Sequence, residues 1–377
     1  MADMLVEQRQ ELLLRELHAT GAVRVTELAA RFGVSPGTIR RDLGELADLG
    51  RLTKVRGGAI PVDRAVADAA AAEGDGQPEP VEPPPSRTLG LLVPSATYYY
   101  PRVLAGVRAV AARRGARVVI GLTDYVRPRD LKQLEELAAS GADGLLVATA
   151  GPHHVPSATM AGLRELGLPF VLLERQPEDP YEPCEFVVSD HRHGAYHAVR
   201  HLHALGHRRV ALYLTGSPTG PLVREGHADA VRELGLDPAA PLLDGGRPPL
   251  GSAVAARQYD TFIESCLASG TTAALVHSDH DAIELLQRLR ARGLRTPEDL
   301  ALIAYDDEIA AMAEVPLTAV APSKRQLGEQ AAQMLLDRLD HAAAGGEPLA
   351  LRQVTVKPGL TLRQSCGHGP AGPGSPA

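Results

Sequence analysis

Residues 34–52 read VSPGTIRRDLGELADLGRL. Ser35 followed by Pro36 is a helix-start signal: a side-chain oxygen able to cap, then a residue suited to the first turn. Ile39, Leu43 and Leu46 fall on one face of the helix that follows, and Gly50 is placed to end it. The opposite face carries Gly37, Arg41 and Gly44, with Thr38 and Arg40 on its flanks. Such a helix packs by one side and presents small residues and guanidiniums on the other.

Upstream, VTELAARFGV (25–34) predicts a second short helix starting near Thr26, with Leu28, Ala29 and Phe32 inward. A short turn containing Gly33 joins the two, which is the layout of a helix-turn-helix. Downstream, RLTKVRGGAI (51–60) alternates loosely, carries Lys54 and Arg56, and turns at Gly57-Gly58; it reads as a β-wing. An arginine pair alone is usually a solvated surface feature. With the cap, the preceding helix and the wing beside it, the pair points to double-stranded DNA, because a helix with a small-residue tip enters the major groove closely. The expected DNA-contacting residues are Ser35, Gly37, Thr38, Arg40, Arg41, Lys54 and Arg56.

The rest of the chain has a different texture. At 377 residues it is too long for one ordinary domain, and its 44% hydrophobic and 23% charged content is that of a globular protein. The net charge of −7 rules out a uniformly basic surface but not one local basic face. Three scattered cysteines (Cys184, Cys266, Cys366) make neither a disulfide framework nor a zinc module. No stretch approaches the roughly 18 apolar residues of a membrane span, and the N-terminus lacks a signal core; a cytoplasmic protein is expected. Residues 61–86, rich in Ala, Pro, Gly and acid, read as a linker. From Thr88 onward, apolar runs such as TLGLLVP, DGLLVA, FVLL, RVALYL and LALIAY alternate with helical stretches. That alternation predicts parallel sheets covered on both faces, in two doubly wound subdomains.

Residues 7–60, through TELAARFGVSPGTIRRDLGELADLGRL and RGGA, resemble the winged helix-turn-helix of the DeoR family of bacterial regulators. That family's wing usually reads Arg-x-His-Gly-Gly-Ala; here Lys54 and Arg56 stand at the first and third positions. Residues 88–365 are similar instead to the effector domain of the LacI/GalR regulators, related to periplasmic sugar-binding proteins. The carrying motifs include GLLVPSATYYYPRVLAGV, VVSDHRHGAYHAVRHLHALGHRRVALY and HSDHDAIELLQRLRARGLRTPEDLALIAYDD. The chain resembles a hybrid: a DeoR-type reader joined to a LacI-type, periplasmic-binding-protein-like sensor. The expected division is 1–60 for the reader, 61–86 for the linker, 87–365 for the effector and dimerisation domain, and 366–377 for a disordered tail. Within the sensor, subdomain 1 is expected at about 87–187 plus 317–345, and subdomain 2 at about 188–316 plus 346–365, with three crossovers.

The resemblance implies a ligand cleft at the carboxyl ends of the strands, where loops carry polar groups. Asp306, after LALIAY, matches the family's ligand-binding aspartate. Ser278 falls where many members have an asparagine, and Glu174 where aspartate is usual, followed by the common Arg175. Asp124 ends the second strand, and Tyr98, Tyr99 and Tyr100 follow the first, positioned to stack on a ring. Arg224 is the nearest counterpart of the family's ligand arginine, one residue out of step with its pattern. His193, His197 and His201, spaced four apart, share a helix face as metal ligands can; without the glutamate of a His-Glu-x-x-His motif they read as a surface or structural face, and no metal or cofactor is expected. No phosphate loop, nucleophile elbow or dinucleotide fingerprint occurs, so no catalytic residue is assigned. The expected function is a dimeric, sequence-specific DNA-binding regulator, a repressor, whose operator affinity is set by a small molecule. A sugar is the leading class, although sugar phosphates and nucleobases fit such clefts too. The competing reading is a carbohydrate-metabolising enzyme with a DNA-binding appendage.

Overall fold

A computed structural model describes residues 9–10, 13, 17, 23–32, 34–48, 52–55, 58–60, 87–123, 125, 129–347 and 349–367. The expected linker (61–86) and most of the expected tail lie outside the described residues.

In the N-terminal part, β1 (Val23–Arg24) leads into α1 (Val25–Phe32), then α2 (Pro36–Asp48), β2 (Thr53–Val55) and β3 (Gly58–Ile60). Ile39, Leu43 and Leu46 of α2 are buried with Leu28 and Ala29 of α1 and with Leu13 and Leu17 upstream; Phe32 packs at the edge of this core. The three short strands form an antiparallel sheet in the order β1-β3-β2. Gly58 lies opposite Arg24, where a Cβ would stand 1.9 Å from the Val23 carbonyl oxygen, so the wing closes on β1 only with glycine there. Asp42, on the inward side of α2, is buried and paired with Arg9 at 2.6 and 3.1 Å. That pair ties Arg9, ahead of the motif, to α2.

The larger part holds two six-stranded sheets. The first runs β16-β10-β8-β6-β4-β5, all parallel: β4 (Arg87–Val93), β5 (Ala116–Leu122), β6 (Gly144–Val147), β8 (Phe170–Leu173), β10 (Glu185–Ser189) and β16 (Gln353–Val356). The second runs β12-β11-β13-β14-β15-β17: β11 (Val210–Leu214), β12 (Leu242–Asp244), β13 (Ala273–Val276), β14 (Ala301–Tyr305), β15 (Thr318–Ala321) and an antiparallel edge, β17 (Gly359–Thr361). Strands β6, β11, β13 and β14 are buried along their whole length, as continuous apolar runs require when helices cover both faces. A small pair, β7 (His154–Val155) with β9 (Gln176–Pro177), stands apart and was not anticipated.

The covering helices are α3 (Tyr100–Arg113), α4 (Arg129–Ala139), α5 (Ser157–Glu165) and α10 (Lys324–Ala343) on the first sheet, and α6 (His191–Ala204), α7 (Gly220–Glu233), α8 (Ala253–Ser269) and α9 (Asp279–Ala291) on the second. The chain crosses three times: between β10 and α6, between β15 and α10, and between β16 and β17. Two of these differ from the expected places. β15 belongs to the second sheet and β16 to the first, so the return crossings fall near residues 322 and 357 rather than 317 and 346. The cause is pairing: Thr318–Ala321 ladders with both β14 and β17, while Gln353–Val356 ladders with β10. Strand membership is set by a partner distant in sequence, which local composition does not reveal.

Helices α3 and α10 approach at two glycines. A Cβ on Gly106 would lie 2.1 Å from the Arg325 carbonyl oxygen, and one on Gly328 would lie 2.1 Å from that of Val103. Because the obstacle is backbone on both sides, Gly328→Ala is expected to destabilise the sensor by at least about 1–3 kcal/mol. Urea unfolding would show this as a lower midpoint with unchanged slope; an unmoved midpoint would rule out the close helix contact.

Candidate functional site: a cleft at the carboxyl ends of the strands

A cavity of about 170 Å³ opens where the carboxyl ends of the two parallel sheets face one another. It is smaller than the roughly 300–1,000 Å³ of drug-sized ligand pockets. Its walls are the residues that follow successive strands. Tyr98, Tyr99 and Tyr100 follow β4, Tyr125 follows β5, and Glu174 and Arg175 follow β8. From the second layer come Thr215 and Ser217 after β11, Arg247 after β12, His277 and Ser278 after β13, and Asp306 after β14. Among the described residues, Tyr98, Tyr125, Glu174, Asp306 and Asp307 are the non-glycine residues with positive φ, at 60°, 59°, 53°, 94° and 57°. Four of these five line the cavity. Left-handed backbone is unfavourable for L side chains, and its concentration here turns strand-end side chains into the cleft.

Each candidate has its own work. Glu174 is buried and accepts from the Ser189 backbone N–H (2.9 Å), the Ser189 hydroxyl (2.6 Å) and the Tyr99 hydroxyl, with His191 Nε2 at 3.5 Å. Burial works to raise its pKa, but these donors and His191 outweigh it and hold the carboxyl down at about 2. Arg175 is also buried. Its Nε and Nη2 donate to the Thr149 carbonyl at 3.0 and 2.7 Å, and Nη1 donates to that of Glu174 at 2.8 Å. It braces the ends of β6 and β8 from within the wall. Ser278 lines the cavity, but its hydroxyl donates to Asp281 at 2.9 Å in a capping box that starts α9. The Tyr98 ring lies tilted beside that of His280 at 4.7 Å, and its buried hydroxyl has no hydrogen-bond partner among the described residues. Tyr100 opens α3 and packs into the first core.

Asp306 differs from these. The residue is only 6% exposed, yet its carboxylate makes no hydrogen bond or ion pair among the described residues. Its backbone is held on both sides: its N–H donates to Val320 O at 3.0 Å, and its carbonyl accepts from Lys324 Nζ. Neighbouring Asp279, wholly buried, accepts three successive backbone N–H groups, from Asp307, Glu308 and Ile309. It shapes the turn that presents Asp306. Burial, then the Asp306 charge, push the Asp279 carboxyl up to about 7. His277 has its pKa lowered by burial, which disfavours the charged ring.

Arg224 requires a correction. It lies on α7, exposed, in an ion pair with Asp244 at 2.9 Å, and does not line the cavity. The register of α7 turns it toward the β12 loop. Besides Arg175, the guanidinium at the cleft is that of Arg247, 4.4 Å from the centroid of the Tyr125 ring. Asp124 lies outside the described residues. Sequence reasoning missed Tyr125, His191, Thr215, Ser217, Arg247 and His277. His277 directly follows β13 and precedes Ser278, so extending the strand-end rule by one residue finds it; the GGRPP stretch around Arg247 carries no periodic signal. His193 and His197 stack at 6.0 Å while His201 faces the Cys366 sulfur at 3.5 Å, and no metal-holding group of three occurs among the described residues.

In the N-terminal motif, Ser35 caps α2: its hydroxyl accepts from the Thr38 N–H at 3.1 Å and lies 2.9 Å from the Thr38 hydroxyl. Gly37, Arg40 and Arg41 are exposed, Thr38 half-buried. Lys54 lies in β2, and Arg56 falls outside the described residues.

The Glu174 cluster has a pH signature. Its folded pKa of about 2 lies below the roughly 4.3 of an unfolded glutamate, a gap worth about 3 kcal/mol. A depressed carboxylate stabilises above the unfolded pKa and loses that contribution as pH falls through the folded one. Glu174→Gln is therefore expected to be less stable at pH 7 by about that amount, with the difference from wild type narrowing from about pH 4 toward pH 2. A difference that stays constant over that interval in urea titrations would show that the carboxylate charge is not the stabilising element.

Comparison with known proteins agrees with this geometry. Residues 9–65 match the DeoR-like helix-turn-helix domain family, and residues 199–366 match the periplasmic binding protein-like domain family. An arabinose metabolism transcriptional repressor of Geobacillus stearothermophilus is 27% identical over 350 residues, spanning 90% of this chain and 89% of that protein. The HTH-type transcriptional regulator DegA of Bacillus subtilis is 28% identical over 276 residues, spanning 71% and 77%. A LacI family transcriptional regulator from Enterococcus faecium, solved with bound ribose, superposes with a TM-score of 0.60 at 24% identity, covering 74% of this chain and 98% of that one. The chain thus joins a DeoR-like helix-turn-helix domain to a two-layered periplasmic binding protein-like domain, and the relatives named here are transcription regulators.

Proposed function

We propose that this protein is a transcriptional repressor that binds operator DNA through α2 and its wing and is controlled by a sugar held in the cleft. The observation that carries the sensor half is Asp306: a carboxylate with open acceptor sites, facing a small cavity, on a backbone fixed from both sides. Such a group accepts two hydroxyl hydrogens of a sugar ring, and Tyr98 offers a hydroxyl and an apolar ring beside it. The nature of the relatives supports the reading, since the repressor spanning 90% of this chain regulates arabinose metabolism. On this reading the protein acts on DNA in the cytoplasm and has no catalytic role. Residues 1–60 act as reader, 61–86 as tether and 87–365 as sensor. Two chains dimerise so that two α2 helices reach successive major grooves. Sugar binding favours a closed cleft, and the difference in closure between the bound and free dimer shifts operator affinity, typically by 1–3 kcal/mol.

Thermal unfolding against a panel of sugars tests the sensor. An effector at about 100 times its dissociation constant stabilises by about 2.7 kcal/mol, and Asp306→Ala should abolish that shift while leaving the unliganded melting temperature near wild type. A shift retained in the variant would remove Asp306 from the site. For the reader, Arg40→Ala and Arg41→Ala are each expected to weaken operator binding by about 1–3 kcal/mol in fluorescence anisotropy at fixed salt. Unchanged operator binding in both variants would place DNA contact elsewhere.

A further inference from the structure

Two charged groups at the cleft remain unspent, and they are of opposite kind. Glu174 is saturated by its donors, Arg175 by backbone carbonyls, and Ser278 by Asp281. Asp306 keeps an open carboxylate, and Arg247 a guanidinium that makes no hydrogen bond or ion pair among the described residues. Arg247 stands at the rim of the cavity, rising from the second layer and stacking on Tyr125 of the first. The ring covers one face of the guanidinium and leaves its edge donors available. A guanidinium offers five N–H donors in a fixed fork matched to carboxylate or phosphate oxygens.

Its position is held by a second set of contacts. Asp244 accepts the Gly216 and Gly246 N–H groups at 3.3 and 3.2 Å through one oxygen and binds Arg224 at 2.9 Å through the other. Gln258 donates to the Gly245 carbonyl at 2.9 Å. The segment just before Arg247 is therefore pinned from α7, from the loop after β11 and from α8.

We infer that Arg247 is the specificity-determining residue of the cleft and that the effector is an anionic monosaccharide, its hydroxyls on Asp306 and its carboxylate or phosphate on Arg247, with Arg224 positioning Arg247 through Asp244. This rests on the sugar-sensor reading above and narrows it. The single-ring size of the cavity and the opposite character of its two open groups fit one small ligand with a polyol end and an acidic end.

Isothermal titration of the full chain with matched sets tests it: a neutral aldose, its sugar acid and its phosphate ester, for pentose and hexose series. One anionic member should bind at least about tenfold more tightly than its neutral parent, since a hydrogen bond to a charged group contributes on that scale. The member that does so separates carboxylate from phosphate. Arg247→Ala should erase the preference, bringing the anionic member's affinity down to that of its neutral parent in the same variant. Arg224→Ala should weaken the preference in the same direction, and Arg224→Lys should restore part of it. Equal binding of neutral and anionic members, or a preference that survives Arg247→Ala, would overturn the inference while leaving the sugar sensor standing. Binding by no member of any set would overturn both.

Discussion

The carboxylate of Glu174 is the point on which the two layers of the sensor converge. A buried ionised group is costly unless fully paired, and this one collects its donors from separate elements. Tyr99 comes from the end of β4 and Ser189 from the end of β10, while His191 begins α6 in the other layer. His191 in turn contacts the Tyr305 hydroxyl at 3.1 Å, at the end of β14. Displacing any of these strand ends would strand a charge out of water. The network therefore sets strand-end positions more tightly than apolar packing, which tolerates small slides.

A second joint stands beside the first. Lys324, the first residue of α10, is buried, with its amino group on Glu308 at 2.6 Å and on the Asp306 carbonyl, above the Tyr99 ring at 5.0 Å. It ties the return crossing between the layers to the turn that carries Asp306. Of the charged side chains lining the cavity, Glu174 is taken up by the first joint and Arg175 by backbone carbonyls, while Asp306 and Arg247 stay open. The residues that give the cleft its shape and those free to meet a ligand are thus chemically alike, and only their partners tell them apart.

The reader is built on the same economy at smaller scale. Its helices share one compact apolar core, and the buried Arg9–Asp42 pair orients α2 so that Arg40 and Arg41 face outward. In the proposed regulator, a ligand changes DNA affinity only through its differential affinity for two arrangements of the sensor. The contacts that bridge the layers are those of Glu174 with His191 and of Lys324 with Glu308.

Much of this was readable from the chain itself. The Ser-Pro start, the inward spacing of Ile39, Leu43 and Leu46, and the glycine turn of the wing specify the reader because helix faces and caps are local properties. Alternating apolar runs and helices specify two doubly wound layers for the same reason, and the strand-end rule brought Tyr98, Glu174 and Asp306 to one cavity. What the sequence could not determine was pairing at a distance. The ladders of β15 and β16 moved two crossings, Arg224 turned to Asp244, and Arg247 reached the cleft from a loop without pattern. Which carboxylate is saturated and which is open depends on donors some 15 to 75 residues away, as with Ser189 and Tyr99 on Glu174. Those contacts exist only once the sheets have formed, so the tertiary structure alone decided them.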